Sequence, residues 1–327
     1  MITKVPPLKV SPGFKGLFPP HDLTAGPPAT VLQFRTFTML WAIASLFHMA
    51  HSSVFDTQLN LAFLTLAAFF AIFRPSLTSF LLLIALQIFD AAFRMPFTTN
   101  HWIFTAFANV TILHALIYLM FRNKSFQVEE GEFFKLFAPL VRIEVIILYF
   151  FAVFHKLNAG FFAPATSCAT DLLRAQNLGH TIPLTGELFT ANAYLTLIIE
   201  LSIPVLLCIR QTRIAGVLVG VIFHCILSYS SYNAFFDFSS LMFAVYFVFL
   251  PPGFSLTAYR GFQGLRAFRT VTFRDFSWSS VAYVSLIIVL SLGVFYLLNK
   301  RLDTYRSVHL YFFWTVYSLL FTGCIIS

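Results

Sequence analysis

Long apolar stretches alternate with short polar connections along most of the chain. A helix needs roughly 17–25 residues to cross a bilayer, and most of these stretches are close to that length. About ten occur, at 34–51, 58–73, 76–93, 102–121, 137–155, 194–209, 214–230, 238–251, 281–298 and 308–326. Helices of this kind satisfy their backbone hydrogen bonds internally, as lipid requires. The pattern therefore predicts an all-α fold, a polytopic transmembrane bundle of about ten helices.

The same pattern divides the chain into four regions. An irregular arm rich in Pro and Gly covers 1–30, and it lacks the apolar core of a secretion signal. A transmembrane domain at 31–255 includes an outer loop at 158–193. A basic segment at 256–280 mixes Arg with Phe and Leu and is expected to lie on the inner membrane surface. Two further transmembrane helices are predicted in 281–327.

The composition excludes most other classes of protein. The chain of 327 residues is 58% hydrophobic and 10% charged, and a soluble domain cannot bury so much apolar surface behind so few charges. The 43 Phe residues suit lipid contact and helix packing. A platform for stacking nucleic-acid bases needs positive charge around its aromatic rings, and the apolar stretches lack it. We therefore expect membrane lipids as partners and no nucleic acid.

Basic residues indicate how the helices are oriented. The chain has 21 Lys and Arg residues against 13 Asp and Glu, which gives a net charge of +8. With the N-terminus on the cytoplasmic side, most basic residues fall in cytoplasmic connections, as the positive-inside rule requires. We therefore expect both termini to be cytoplasmic. The chain is interpreted as a multi-pass integral protein of a bacterial inner membrane or a eukaryotic endomembrane.

Ionisable residues inside the apolar stretches concentrate in one leaflet. With the orientation above, the outer half of the membrane receives Asp90, Arg94, His101, His155, Lys156, Glu200 and His224. Only His114 and Glu144 fall clearly in the inner half. Charged groups in a bilayer are costly, so several in one leaflet need a common explanation. The pattern predicts a cavity that opens outward and is lined by acids, bases and cations.

Each of these residues also has a structural interpretation. Asp90 and Arg94 have the spacing of an ion pair along one helix. Lys156 can extend its ammonium group to the headgroups, as lysines at helix ends commonly do. Glu200 can be a protonated carboxyl group that bonds a neighbouring helix.

The sequence gives little support for a metal site. His48 and His51 lie in the segment HMAH, which is a weak metal motif and also suits the membrane interface. The four cysteines contain no CxxC spacing. No metal is predicted from the sequence.

Four segments resemble motifs of one known family. In chain order they read MPFTTNHWIF, LYFFAVFHKLNAGFF, LTLIIELSIPVLL and FHCILSYSSYNAFFDFSSLMFAVYF. They resemble the HTTM (horizontally transferred transmembrane domain) family, which includes the vitamin K-dependent γ-glutamyl carboxylases. The similarity covers roughly 35–252, and the last two predicted helices lie outside it.

The resemblance implies a chemistry. In the carboxylases, a lysine deprotonates reduced vitamin K, the quinol anion reacts with oxygen, and the resulting base removes a proton from a peptide glutamate that then takes up carbon dioxide. By motif, Lys156 corresponds to the base, and His101 to a residue that orients or polarises the quinol. A lysine can act as a base near neutral pH when desolvation or nearby positive charge favours loss of its proton. The expected cofactor is reduced vitamin K or a menaquinol-like quinol.

Further residues are expected to line the quinol pocket. They are Asp90, Arg94, His155, Asn158, Glu200 and His224. The chain differs from the carboxylases because it ends with two predicted helices where they carry a large extramembrane domain. Recognition of a protein substrate through a leader peptide is therefore not implied.

Other functions remain open from the sequence. The main alternative is a non-enzymatic membrane subunit or lipid-binding protein that assembles with a membrane-protein partner. Electron transfer through a b-type haem, with axial ligands drawn from His101, His155 and His224, is another. A solute transporter is a third, although the chain shows no clear internal repeat.

Overall fold

The computed structural model describes residues 28–51, 59–176, 182–229, 234–257 and 303–326, and every regular element in these ranges is helical. The labelled helices, in chain order, are α1 (Ala29–His51), α2 (Leu59–Phe73), α3 (Leu77–Arg94), α4 (Asn100–Asn123), α5 (Glu130–Lys156), α6 (Ala159–Phe162), α7 (Cys168–Ala175), α8 (Gly186–Cys208), α9 (Arg213–Ser228), α10 (Ala234–Tyr246) and α11 (Asp303–Ile326). A 3₁₀ turn at Phe247–Phe249 extends α10. The all-α prediction is confirmed for these ranges.

Within the described ranges, five helices are long and apolar enough to cross a membrane, which is the pattern of a multi-pass membrane protein. These spans are Ala29–Met49, Leu77–Arg94, Asn100–Asn123, Glu130–Lys156 and Gly186–Cys208. Shorter apolar helices occur at Ala62–Phe73, Arg213–Ser228, Phe235–Phe249 and Tyr311–Ile326. The total of about ten spans and the side of each terminus stay predictions. The arm at 1–27, the ninth predicted helix at 281–298 and nearly all of the basic segment at 256–280 lie outside the described residues.

Helix α1 lies at the centre of the bundle. It packs against α2, α5 and α10. Helix α3 packs between α2 and α4, and α4 also contacts α5. Helices α8 and α9 pack on each other, and they contact α5 and α10 respectively. The buried core is continuous and strongly aromatic. Outward-facing positions of α5 and α8 carry exposed apolar side chains, for example Ile147 and Leu201, as a lipid-facing surface requires.

Several helices begin earlier than the apolar pattern indicates, and α5 and α8 do so by about two turns each. Helix α5 starts at Glu130, about two turns before the apolar stretch at 137–155, because Glu129 caps it by accepting the backbone N–H groups of Gly131 and Glu132. Helix α8 starts at Gly186, where the Thr185 side chain accepts the N–H of Leu188. The connection predicted at 158–193 is therefore shorter.

The short helices of that connection pack on the first turns of α8. The Asn192 amide donates a 2.8 Å hydrogen bond to the carbonyl of Ala169 in α7. The rings of Phe162 in α6 and Tyr194 in α8 lie 4.8 Å apart. This packing gives the polar turns of α8 partners other than lipid.

A cluster of buried phenylalanines fills one end of the bundle. At this end α1, α3 and α5 begin and α10 finishes, and we call it the aromatic end. Its members are Phe34, Phe37, Phe80, Phe133, Phe134, Phe137 and Phe247. The Phe37 ring lies 5.3 Å from that of Phe137 and 5.9 Å from that of Phe80. Offset and edge contacts of this kind are the favourable arrangements of aromatic rings.

A group of neutral polar side chains ties three helices together midway along the bundle. The Trp41 indole N–H lies 2.8 Å from Gln87 Oε1 and 3.1 Å from Asn109 Oδ1. The Gln87 amide in turn donates to Ser45 Oγ at 2.6 Å. Buried polar groups in lipid need such partners, so these bonds fix α1, α3 and α4 in register.

Candidate functional site

Ionisable side chains gather at the other end of the bundle, where α1, α3 and α5 finish and α4 and α10 begin. We call it the polar end. It holds His48, Asp90, Arg94, His101, Lys156, Asp237 and, deeper in, His224 and Glu200. Four of these are almost fully buried, with exposed fractions of 1–4% for His48, Asp90, His224 and Asp237.

Two histidines meet one aspartate oxygen. His48 Nδ1 lies 2.6 Å from Asp237 Oδ2, and His101 Nε2 lies 2.8 Å from the same oxygen. The three residues come from α1, α4 and α10, and 189 positions of sequence separate His48 from Asp237. His101 is the more accessible histidine, with its side chain 12% exposed. We call these three residues the histidine–aspartate cluster.

A second carboxylate, that of Asp90, lies next to His48 of this cluster. Asp90 Oδ2 accepts hydrogen bonds from Arg94 Nε at 2.8 Å and from the Trp102 indole N–H at 2.9 Å. It lies 3.9 Å from His48 Nε2. The indole of Trp102 stacks flat on the His48 ring at a centroid distance of 3.5 Å. These contacts fix the plane of the imidazole and place negative charge on its far side.

Lys156 pairs with Glu200 at the same end of the bundle. Lys156 Nζ at the last residue of α5 lies 2.6 Å from Glu200 Oε2 in α8, and it also donates to the carbonyl of Ala152 at 3.3 Å. The contact is an ion pair by distance and not a well-directed hydrogen bond, because Glu200 Oε2 has no aligned donor among the described residues. The two side chains are 20% and 12% exposed, so the pair is largely removed from solvent.

Two buried phenols lie next to the pair. The hydroxyl groups of Tyr149 and Tyr246 bond each other, and Glu200 is near enough to act electrostatically on both. His224 Nε2 lies 3.3 Å from the Tyr149 hydroxyl. Gly220 allows this arrangement, because a Cβ atom there would collide with the Tyr246 ring.

Three consecutive residues of α10 bridge the two groups. Asp237 belongs to the histidine–aspartate cluster, while Ser239 Oγ donates to the backbone carbonyl of His224 at 3.1 Å. Between them, the Phe238 ring lies 5.7 Å from the His101 ring and 4.9 Å from the His224 ring. The first turn of α10 is therefore in contact with both polar groups.

The remaining residues proposed from the sequence occupy less central places. His155 is exposed and lies against the rings of Phe151 and Phe154. Asn158 is also exposed and caps α6 by accepting the N–H of Phe161, while its amide donates to the carbonyl of His155. The structure thus brings Asp90, Arg94 and His101 into one group and Lys156, Glu200 and His224 into another.

Three buried residues of these groups were not singled out as site residues from the sequence. Asp237 lies one residue before the apolar stretch predicted at 238–251, and no role was predicted for it. The carboxylate in FFDFSSLMF was the available signal. His48 was expected either at the membrane interface or in a weak metal motif, and it packs inside the bundle. Tyr149 is an ordinary aromatic residue of an apolar helix until its hydroxyl partner is known.

The arrangement can hold and move protons and can bind a cation. Imidazoles, carboxylates and an amine are held at fixed distances, largely out of water, where charge interactions are strong. The histidine–aspartate cluster offers two nitrogen donors and one oxygen donor within 4.8 Å of one another. The Lys156–Glu200 pair offers an amine whose proton has a nearby carboxylate acceptor.

Comparisons of the chain with known protein families, with curated proteins and with solved structures give no match.

Proposed function

We propose that the chain is a membrane enzyme in which Lys156 is the general base for a lipid-soluble quinol. The observation that carries the proposal is the Lys156–Glu200 pair, held 2.6 Å apart and largely out of water at the polar end. Charged groups are costly to place in lipid even when paired, so the presence of this pair favours a functional role. The resemblance of LYFFAVFHKLNAGFF to the lysine motif of the vitamin K-dependent carboxylases gives the pair its chemistry.

The proton transfer is simple to write. The reactive form is the one in which desolvation has removed a proton from the pair, against the attraction of the Glu200 carboxylate, so that Lys156 is a neutral amine. The quinol O–H bond breaks, a new N–H bond forms on Lys156, and the ammonium ion is stabilised by Glu200. The quinolate keeps the electron pair and is then oxidised by molecular oxygen, the co-reactant used in the family that the chain resembles. A low-polarity setting strengthens each of these charge interactions.

The position of the pair suits a substrate that arrives through the membrane. Phe154 and Leu157 flank Lys156 along the chain and expose 59% and 60% of their surface. An apolar quinol can therefore approach from the lipid while its hydroxyl group reaches the amine. His101 is the residue assigned to orient the quinol, and its ring is held by Asp237.

The experiment measures quinol oxidation by the purified protein in lipid nanodiscs. The sample receives reduced vitamin K, oxygen, bicarbonate and a short glutamate peptide, and formation of vitamin K epoxide is followed. We expect epoxide from the wild type and a loss of about 10²–10⁴-fold in Lys156→Ala, the usual contribution of a general base. Lys135→Ala is the matched control, because Lys135 is an exposed lysine at the opposite end of the same helix.

Two results would overturn the proposal. Full activity in Lys156→Ala removes the lysine from the chemistry. Absence of epoxide from the wild type, with the fold intact, favours the non-enzymatic membrane subunit instead. Glu200→Gln tests the role of the carboxylate charge, since it keeps the shape of the side chain but removes the charge that stabilises the ammonium ion.

A further inference from the structure

In the histidine–aspartate cluster both imidazoles contact the same carboxylate oxygen, an arrangement that hydrogen bonding alone does not require. A carboxylate has two oxygens that can each accept bonds. Here both imidazoles are directed at one of them, Asp237 Oδ2, at 2.6 Å and 2.8 Å. The three donor atoms come from three different helices and lie within 4.8 Å of one another. Convergence of this kind is what a metal ion imposes on its ligands.

The donor types match a known class of metal site. Two imidazoles and one carboxylate bind zinc in hydrolytic enzymes and ferrous iron in oxygenases, and in both cases a further position stays open for water or substrate. Thiolate ligands are unnecessary for these ions. The site is sheltered, with His48 and Asp237 buried and only His101 partly accessible.

The surroundings of His48 match the outer shell of such sites. A histidine that binds metal through one nitrogen usually donates its other N–H to a carboxylate. His48 Nε2 is buried and has no hydrogen-bond partner among the described residues. The carboxylate of Asp90 lies 3.9 Å from it and is itself held by Arg94 and Trp102. A metal on Nδ1 would fix the proton on Nε2, where it faces the Asp90 carboxylate.

We propose that His48, His101 and Asp237 bind a divalent transition-metal ion, zinc or ferrous iron, at the polar end of the bundle. Metal–ligand bonds of about 2.0–2.2 Å in tetrahedral geometry place the ligand atoms about 3.4 Å apart. Binding of the metal therefore displaces the protons between the side chains and increases each imidazole–carboxylate distance by roughly 0.6–0.8 Å. Asp90 is a positioning residue that acts through His48. The inference rests on observations other than the Lys156–Glu200 pair, and it shares only His101 with the proposed quinol chemistry.

The first experiment measures metal content. The full-length protein is purified in detergent without an affinity tag that binds metal, and zinc and iron are quantified by mass spectrometry before and after treatment with a chelator. We expect about one zinc or iron ion per wild-type chain, as for a single three-ligand site. Asp237→Asn keeps the side-chain shape and should lose the ion, while His155→Ala, which removes an exposed histidine, should keep it.

The second experiment reports geometry without relying on metal that survives purification. Cobalt(II) added to the stripped wild-type protein should give the visible absorption bands of a four- or five-coordinate ion bound by nitrogen and oxygen. The bands should be absent in Asp237→Asn and retained in His155→Ala. Asp90→Asn keeps all three ligands and should weaken cobalt affinity about 10–100-fold, the usual effect of removing an outer-shell partner.

Each outcome is decisive for the cluster. Binding of cobalt or zinc in the wild type that Asp237→Asn abolishes supports the site, and the identity of the purified metal separates zinc from iron. Failure of the folded, stripped wild type to bind cobalt, zinc and ferrous iron overturns it. So does metal binding that persists in both Asp237→Asn and His101→Ala. These readings need no enzyme activity, so failure of the quinol proposal and failure of the metal proposal are distinguishable.

Discussion

The two ends of the bundle are built from the same helices and yet differ in kind. Helix α1 supplies Phe34 and Phe37 to the aromatic end and His48 to the polar end. Helix α3 supplies Phe80 to one and Asp90 to the other. The aromatic end is held together by packed aromatic rings, and other well-fitted apolar side chains can fill such a core as well. The polar end gathers charges that a bilayer disfavours, so its residues are better explained by chemistry than by stability.

The largest expected effect comes from breaking the polar end at its centre. Asp237→Ala leaves two buried imidazoles without their shared acceptor, and removal of one partner from a buried charged group costs about 3–5 kcal/mol. The measurement is reversible unfolding in mixed detergent micelles. Asp171→Ala is the control, because this aspartate is exposed on α7 and should change stability by less than about 0.5 kcal/mol. Equal losses in the two variants would contradict the importance assigned to the cluster.

A smaller effect is expected at the aromatic end. Phe37→Leu removes a fully buried ring but keeps an apolar side chain of similar reach, so the loss of unfolding free energy should be about 1–2 kcal/mol. The same unfolding assay applies. Metal content should be unchanged, because Phe37 lies about three turns from His48 in α1, roughly 16 Å along the helix axis. Loss of the metal would show that the two ends are not separable.

The smallest effect is expected when the whole histidine–aspartate cluster is replaced. A variant with His48→Phe, His101→Leu and Asp237→Leu leaves no uncompensated charge in the cluster. Apolar substitutes for buried charged groups are often neutral or stabilising, so unfolding free energy should fall within about 1 kcal/mol of the wild type. The variant should nevertheless bind no cobalt. A loss as large as that of Asp237→Ala would mean that the cluster is retained for stability.

The sequence predicted helices better than it predicted their ends. The stretch at 76–93 differs by one residue at each end from α3, Leu77–Arg94, whose Ser76 capping box and short connections are local features. Helix α5 extends seven residues further towards the N-terminus than predicted. The residues of its first turns, EGEFFK, are too polar to be predicted from hydropathy as part of a membrane-spanning helix. In the folded protein, Glu130 in these turns pairs with Arg35 of α1 at 3.0 Å. Such long-range partners are not readable from a single sequence.

The candidate site was only partly visible for the same reason. The sequence placed Asp90, His101, Lys156 and Glu200 in one leaflet, since depth follows from position along a helix. It gave no sign that His48 and His101 share Asp237, because that depends on how α1, α4 and α10 pack. Starting the helix at Phe238 removed the carboxylate from consideration. A carboxylate within one turn of an apolar stretch should be counted with the helix.

The central position of α1 has a consequence for how the protein is made. Of the five long spans, α1 is the least apolar and the most enclosed, with 72% of its apolar window buried by other helices. Its buried histidine has its carboxylate partners in α3 and α10, which follow it in the chain and so leave the ribosome later. During biosynthesis, therefore, α1 reaches the bilayer before the groups that neutralise it exist. We therefore expect α1 to stay at the insertion machinery until α10 arrives, and we expect mutations in α10 to appear first as degradation of nascent chains.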